Sequence, residues 1–293
     1  VGEYLPDRIA FVNGLKNVRI RASGADIEKS LRGNWRVEHL FALEQAVALF
    51  DAYGEQLAVC DRQLESMLAA LQQALDNVAR DEGARVVVLA ANGRAFCAGH
   101  NLKEMAQHPE LAYYQQLFAQ CSRMMLSIHK LPVPVIARVH GMATAAGCQL
   151  VAQCDLAVAS EDASFATSGI HYGLFCATPS VPLVRNVPAK RAMEMLLTGD
   201  FIDAPTALAQ GLVNRVVPAD ALDAEVEQLV QSILQKPRVA VAMGKALVYQ
   251  QRELGIDAAY QLAGQTMATN MMDGAAQEGA RAFAEKRQPA WKR

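Results

Sequence analysis

Aromatic residues make up only 6% of the 293-residue chain, and neither sign of charge prevails, with 28 Lys+Arg against 30 Asp+Glu and a net of −2. The balance argues against a strongly basic nucleic-acid binder, and 52% hydrophobic residues supply a real core, so the chain is not disordered. Long hydrophobic runs are missing as well. The longest stretch without Asp, Glu, Lys or Arg, Ala163–Val184, holds Pro179, Pro182, Gly169, Gly173 and His171, and is no membrane span. At the start, Glu3, Asp7 and Arg8 interrupt any signal-peptide pattern. There is no CxxC and no paired Cys/His spacing. Cys60, Cys97, Cys121, Cys148, Cys154 and Cys176 lie scattered in apolar sequence. They read as free thiols in a reducing compartment, so the expected location is cytoplasmic and no metal is expected.

The chain has two textures. Between residues 16 and 36, Lys16, Arg19, Arg21, Lys29, Arg32 and Arg36 face only Asp26 and Glu28. Such a strip can bind phosphates, but without interleaved aromatics it reads as a solvated surface, and nucleic acid is not the expected partner. From Glu38 a helical seam follows. Leu40, Leu43, Val47, Phe50, Gly54, Leu57, Asp61, Leu64, Leu68, Leu71, Leu75 and Val78 are spaced alternately three and four. Gly54 and Asp61 are its weak points, and one unbroken rod to Arg80 would be roughly 65 Å long, so a hairpin or a bend fits as well.

Beyond Arg80 the pattern is α/β. Strands are expected at Val86–Leu89, Pro134–Val139 and Asp155–Ala159, and helices at Ala189–Leu197, Ala221–Gln235 and from about Val239 onward. Two junctions of small residues, Phe96–His100 after the first strand and Ala143–Cys148 after the second, have the composition of strand-to-helix turns. Such turns let a ligand approach main-chain N–H groups closely. Two of these N–H groups converging on one carbonyl oxygen would make an oxyanion hole. Tight packing is the competing reading.

These junctions carry a resemblance. Gly93 to Met105 resembles the first signature of the enoyl-CoA hydratase/isomerase (crotonase) superfamily, and Pro132 to Ala159 the second. Thr198-Gly199-Asp200 with Gly211-Leu212-Val213 is similar to the segment that follows, and Glu278-Gly279 with Phe283 to Trp291 to the tail. Ala143 to Cys148, Phe165-Ala166-Thr167 and Gly173 to Cys176 resemble the branch called enoyl-CoA hydratase domain-containing protein 3.

The resemblance implies an α/β fold, a ββα spiral core over about residues 65–220, and a C-terminal helical trimerisation region over 221–293. It also implies homotrimers or dimers of trimers, and an acyl-CoA or enoyl-CoA thioester as partner, in fatty-acid metabolism. CoA comes as part of the substrate, so no separate cofactor is expected. By resemblance, the backbone N–H groups of Ala98 and Ala146 would hold the thioester oxygen and stabilise an enolate. Ala95, Phe96 and Lys103 fall where the family contacts CoA, and Phe283 and Lys286 match tail positions that reach it.

The departures matter as much. The two glutamates with which family hydratases (lyases) place water and move a proton fall at Gln149 and Gly169, and Asn101 replaces an Asp. His171 and His100 are the candidate replacements, each with a structural role as the competing reading. Cys97, Cys148 and Cys176 would be nucleophiles only beside an activating base, and none is visible. No match to the family's first two strands is found either, and residues 1–64 are expected to form an atypical segment in their place, mostly helical from about residue 38. Ala25 to Glu65, centred on Leu31 to Leu43, resembles the helical middle of RuvC-like insertion-sequence transposases, which suggests a gene fusion. Three function classes follow: an acyl-CoA enzyme, a non-catalytic acyl-CoA binder, or a nucleic-acid-binding remnant in residues 1–64.

Overall fold

Why the strands form two sheets follows from how their residues are distributed. The computed structural model describes residues 68–292. The basic strip, the transposase-like stretch and most of the helical seam lie outside the described residues. The end of the seam does not. Residues 68–80 are helical (α1), with Leu75 buried and Leu68, Leu71 and Val78 packed against the core.

After α1 the chain alternates between two sheets. It lays β1 (Val87–Leu89) in the first and β2 (Ala95–Cys97) in the second, then makes helices α2 (Leu102–Gln107) and α3 (Leu111–Lys130). The next turn repeats this with β3 (Val135–Val139), β4 (Met142–Thr144) and α4 (Ala146–Gln153). A third follows with β5 (Leu156–Ser160), β6 (Ser164–Ala166), a 3₁₀ turn at Ser168–Tyr172, and helices α5 (Ala177–Asn186) and α6 (Ala189–Thr198). Then β7 (Ile202–Asp203), α7 (Ala204–Ala209) and β8 (Arg215–Val217) complete the sheets. The helices α8 (Leu222–Leu234), α9 (Arg238–Gln251), α10 (Ile256–Met271) and α11 (Gly274–Ala284) end the chain. The expected ββα spiral is therefore present.

The first sheet has the order β1-β3-β5-β8 and is parallel throughout, with Val87 opposite Val135, Ile136 opposite Leu156 and Val158 opposite Arg215. Parallel strands covered on both faces read as near-continuous apolar runs. Val135, Ile136, Ala137 and Val139 are all fully buried, with Ile136 and Val158 packed under Leu222 and Val226 of α8.

The second sheet, β2-β4-β6-β7, is made of strands two or three residues long, with β7 antiparallel. Its strands correct one expectation. Each small-residue junction leaves one of these short strands directly, β2 or β4, and not the strand of the first sheet before it.

α4 is buried at every position from Gly147 to Ala152, so it is the central helix of the unit. On the far side, Lys245 of α9 donates to the carbonyls of Ile128 and Val133 at 2.9 and 3.0 Å and to Asp155 at 2.7 Å. Asp155 also accepts from the Tyr249 hydroxyl at 2.7 Å and from the Val135 amide at 2.7 Å, so this buried ion pair pins α9 to the core. No helix among the described residues is long and apolar enough to cross a membrane.

Candidate active site

The two strand-to-helix turns of the second sheet lie back to back. β2 ends at Cys97, and the chain turns through Ala98 and Gly99, the latter at φ +90°. β4 ends at Thr144, and the chain turns through Ala145 at φ 51°, ψ −117° before α4 starts at Ala146. A positive φ on alanine is strained. It is held by the Ala145 N–H donating to the Ala166 carbonyl at 2.9 Å and by the Ala145 carbonyl accepting from Gln149 N–H at 3.0 Å.

The turns touch where both have glycine. A Cβ on Gly99 would lie 2.9 Å from the Ala145 Cβ and 3.1 Å from the Ala146 nitrogen, and one on Gly147 would drive into the Cys97 main chain. α4 has no side-chain N-cap, so its positive end is left for a ligand or solvent.

Two cavities flank the contact. The larger, about 430 Å³, is walled by Ala98, Ala145 and Ala146 on one side and by Ser168, His171 and Tyr172 on another. The smaller, about 240 Å³, lies between Gly99 and Ala146 and the α3 residues Tyr113, Leu117 and Cys121. His100, Met105 and Ala146 border both.

The structure thus brings Ala98 and Ala146 to one cavity. His171 joins them there, exposed, with Nε2 3.1 Å from the Gly199 carbonyl oxygen. A carbonyl only accepts, so that nitrogen carries the proton. Gln149, one turn into α4, is 4% exposed and lines neither cavity, and its Oε1 has no partner. At Gly169 a Cβ would lie 2.6 Å from the Leu174 carbonyl oxygen and 2.9 Å from Cys176 Sγ, so the place of a longer side chain is already filled.

Ala95 lies in β2 beside Phe96, which is buried against the smaller cavity. Lys103 is exposed in the first turn of α2, where its N–H donates to Asn101 Oδ1 at 3.0 Å. Asn therefore caps this helix as the family's Asp would. Phe283 is 87% exposed and Lys286 is exposed at φ 54°, and neither lines either of these two cavities.

Electrostatics narrow the chemistry. Burial raises the Cys97 and Cys176 thiols and pushes Cys121 up to about 11 and Cys148 up to about 12, so none of the four is a ready nucleophile. Among the described residues the five cysteines are free, and no group of three His, Cys, Asp or Glu is placed to hold a metal.

Some lining groups escaped the sequence reading. Thr144 Oγ1 and Ser168 Oγ stand 2.7 Å apart in the larger cavity, and α3 walls the smaller one with the buried Leu117, Cys121, Met124 and Met125, which repeat at helical spacing.

Comparison with known proteins adds to this. The family model described as enoyl-CoA hydratase/isomerase matches residues 62–293. The mitochondrial enoyl-CoA hydratase domain-containing protein 3 of Mus musculus is 45% identical over 226 residues, 77% of this chain and 75% of its own length. A putative enoyl-CoA hydratase of Thermus thermophilus is 35% identical over 225 residues, 76% of this chain and 89% of its own. Among solved structures, an enoyl-CoA hydratase of Mycobacterium smegmatis is 62% identical with a TM-score of 0.77, covering 78% of this chain and 89% of that one. The human domain-containing protein 3 is 45% identical with a TM-score of 0.75, covering 77% and 89%.

Proposed function

The chain belongs to the enoyl-CoA hydratase/isomerase family, and from that premise we propose that it binds fatty acyl-CoA or enoyl-CoA thioesters and polarises them toward the enolate. The N–H groups of Ala98 and Ala146 would hold the thioester oxygen, and the positive end of α4 would favour the charge that develops there. The observation that carries this reading is the contact of the two turns, with Ala98 and Ala146 on the wall of one cavity and glycine wherever the main chains meet. CoA is carried by the substrate, and no separate cofactor is proposed. Ala95, Phe96 and Lys103, with Phe283 and Lys286, are the proposed CoA contacts, the last two toward a neighbouring subunit. A homotrimer or dimer of trimers fits the large apolar side chains exposed on the C-terminal helices, Tyr260 at 73% and Met267 at 72% among them. Buried free thiols fit a reducing compartment, and the cytoplasm is proposed.

A second reading has an observation of its own. With Gln149 buried away from both cavities and the space at Gly169 filled, the usual carboxylate pair is absent, which favours an acyl-CoA binder without hydratase turnover. Loss of enoyl-thioester absorbance with crotonyl-CoA, measured beside thioester binding, separates the two. Turnover supports the enzyme, and binding without turnover supports the binder. Absence of binding refutes both.

A further inference from the structure

The family's two carboxylates are gone, yet a site that forms an enolate needs a group to take the proton. Among the described residues, no Asp, Glu, Lys or Arg borders the larger cavity, which Ala98 and Ala146 wall. Its titratable side chains are His100, His171, Tyr172 and Cys176. Cys176 is kept as a thiol by burial. Tyr172 offers a phenol, which serves at neutral pH as a hydrogen-bonding group rather than a base. The ring of His100 packs edge-on against Phe118 of α3, with centroids 5.7 Å apart, and its Nε2 is buried without a partner, so that nitrogen is closed to the cavity.

His171 differs from all of these. It sits on the 3₁₀ turn Ser168–Tyr172, two residues past the filled space at Gly169. The turn is strapped at two points to α6 and the glycine that ends it. Just before the turn, Thr167 Oγ1 donates to the Met195 carbonyl at 2.7 Å, and within it His171 Nε2 donates to the Gly199 carbonyl at 3.1 Å. Gly173, at φ +79°, closes the turn with its N–H donating to the Ile170 carbonyl at 3.0 Å. The imidazole therefore has a fixed seat. A Cβ on Gly199 would lie 2.9 Å from Nε2 and 3.1 Å from Cδ2, so glycine leaves room for that edge of the ring. In an imidazole the atom opposite the Nε2–Cδ2 edge is Nδ1. With the proton held on Nε2, Nδ1 carries the free lone pair and is turned away from Gly199. The side chain is exposed at the cavity wall, so a proton collected there can pass on to water.

We propose that His171 is the proton carrier of this site, its Nδ1 taking a proton from the α-carbon of an acyl-CoA thioester in the larger cavity and returning it. The proposal rests on the acyl-CoA reading above. In the step, the α C–H bond breaks and its proton joins Nδ1 of the neutral imidazole. The freed electron pair becomes the carbon–carbon double bond, and the carbonyl pair moves onto the oxygen held by Ala98 and Ala146. The Gly199 carbonyl, still accepting from Nε2–H, steadies the imidazolium that forms. Reversal restores the thioester, so the net reaction of a saturated thioester in heavy water is exchange of its α-hydrogens.

The test is α-deuterium exchange of butyryl-CoA in D₂O, with its binding followed in parallel by thermal shift. It compares the parent, His171→Gln, and His171→Ala with and without free imidazole in solution. The Gln amide can hydrogen-bond but cannot carry the proton, and the Ala variant leaves space that a free imidazole can enter. In both variants binding is kept, while exchange drops by about 10²–10⁴-fold. Added imidazole restores part of the exchange to His171→Ala and none to His171→Gln. A variant that binds and still exchanges within tenfold of the parent overturns the proposal. A loss in His171→Ala that imidazole leaves untouched marks a structural role and overturns it too. So does a parent that binds butyryl-CoA without exchanging it, although the acyl-CoA reading then stands. A parent that does not bind overturns both.

Discussion

Replacing Gly147 by alanine adds a single methyl group at the point where the site is most tightly built. The new Cβ would meet the Cys97 carbonyl carbon at 2.7 Å and the Cys97 Cβ at 2.8 Å, as well as the carbonyl oxygen, and most of these obstacles are main chain. They cannot rotate away, so β2 and α4 must separate by something on the order of 1 Å. Overpacking of this kind costs about 1–3 kcal/mol, and the better helix propensity of alanine offsets about 1 kcal/mol of it. The net loss is then about 1 kcal/mol, or roughly 2–4 °C in melting temperature for a domain of this size. The same displacement parts Ala98 from Ala146, and a 1 Å misplacement of this kind can lower a rate by about 10²-fold. Gly264→Ala is the control. It lies exposed in α10, where a Cβ meets nothing within 4 Å, and should raise stability by up to about 1 kcal/mol. Thermal melts and butyryl-CoA α-exchange read both effects. A Gly147→Ala protein that melts as high as Gly264→Ala and exchanges at the parental rate would falsify the close-contact argument.

Other substitutions test other parts. Lys245→Met leaves the Asp155 carboxylate buried without its cation and should cost about 3–5 kcal/mol in denaturant melts. Adding Asp155→Asn should recover part of that loss, and a double variant no better than the single one would speak against the ion pair as the cause. Gly169→Glu should lower the melting temperature without creating hydratase turnover, because Leu174 and Cys176 occupy the space; a stable, active variant would contradict this. His100 has a lowered folded pKa, so it binds fewer protons folded than unfolded. Its contribution is complete above the unfolded value of about 6.5 and is lost as pH falls through that value toward the folded one. Urea midpoints of the parent and His100→Gln should therefore converge on acidification across that range, and a constant difference would exclude the effect.

What was legible in the chain divides along physical lines. Three strands of the first sheet, β1, β3 and β5, are visible as apolar runs, β3 most clearly because Val135, Ile136, Ala137 and Val139 are fully buried, while β8, a three-residue strand opening on Arg215, is not. The three-residue strands β2, β4 and β6 are too short to establish a period, so the two junctions were placed after the wrong strands. In the C-terminal region α8 matches the helix expected at Ala221–Gln235, while the single helical stretch expected from about Val239 is three helices, α9 to α11. At the site, the proposed roles of Ala98 and Ala146 come from the resemblance of the two junctions to the family signatures, and the structure adds that both line one cavity; an alanine has no side-chain group that would mark a site. The filled space at Gly169 depends on a carbonyl five residues onward, and the orphaned nitrogen of His100 on a helix nearly twenty residues away. Neither is a property of local sequence.

The oxyanion donors proposed above, the N–H groups of Ala98 and Ala146, sit on main chain that is already alanine. An alanine scan would therefore pass over the core of the site without registering it, and would mark only the groups around it. The change that reaches these donors is atomic: replacing the amide of Ala98 or Ala146 by an ester deletes one N–H while keeping the methyl, the turn and the packing. Two such single-atom edits, made separately and together, would give the coupling between the donors by a thermodynamic cycle that no side-chain substitution can close.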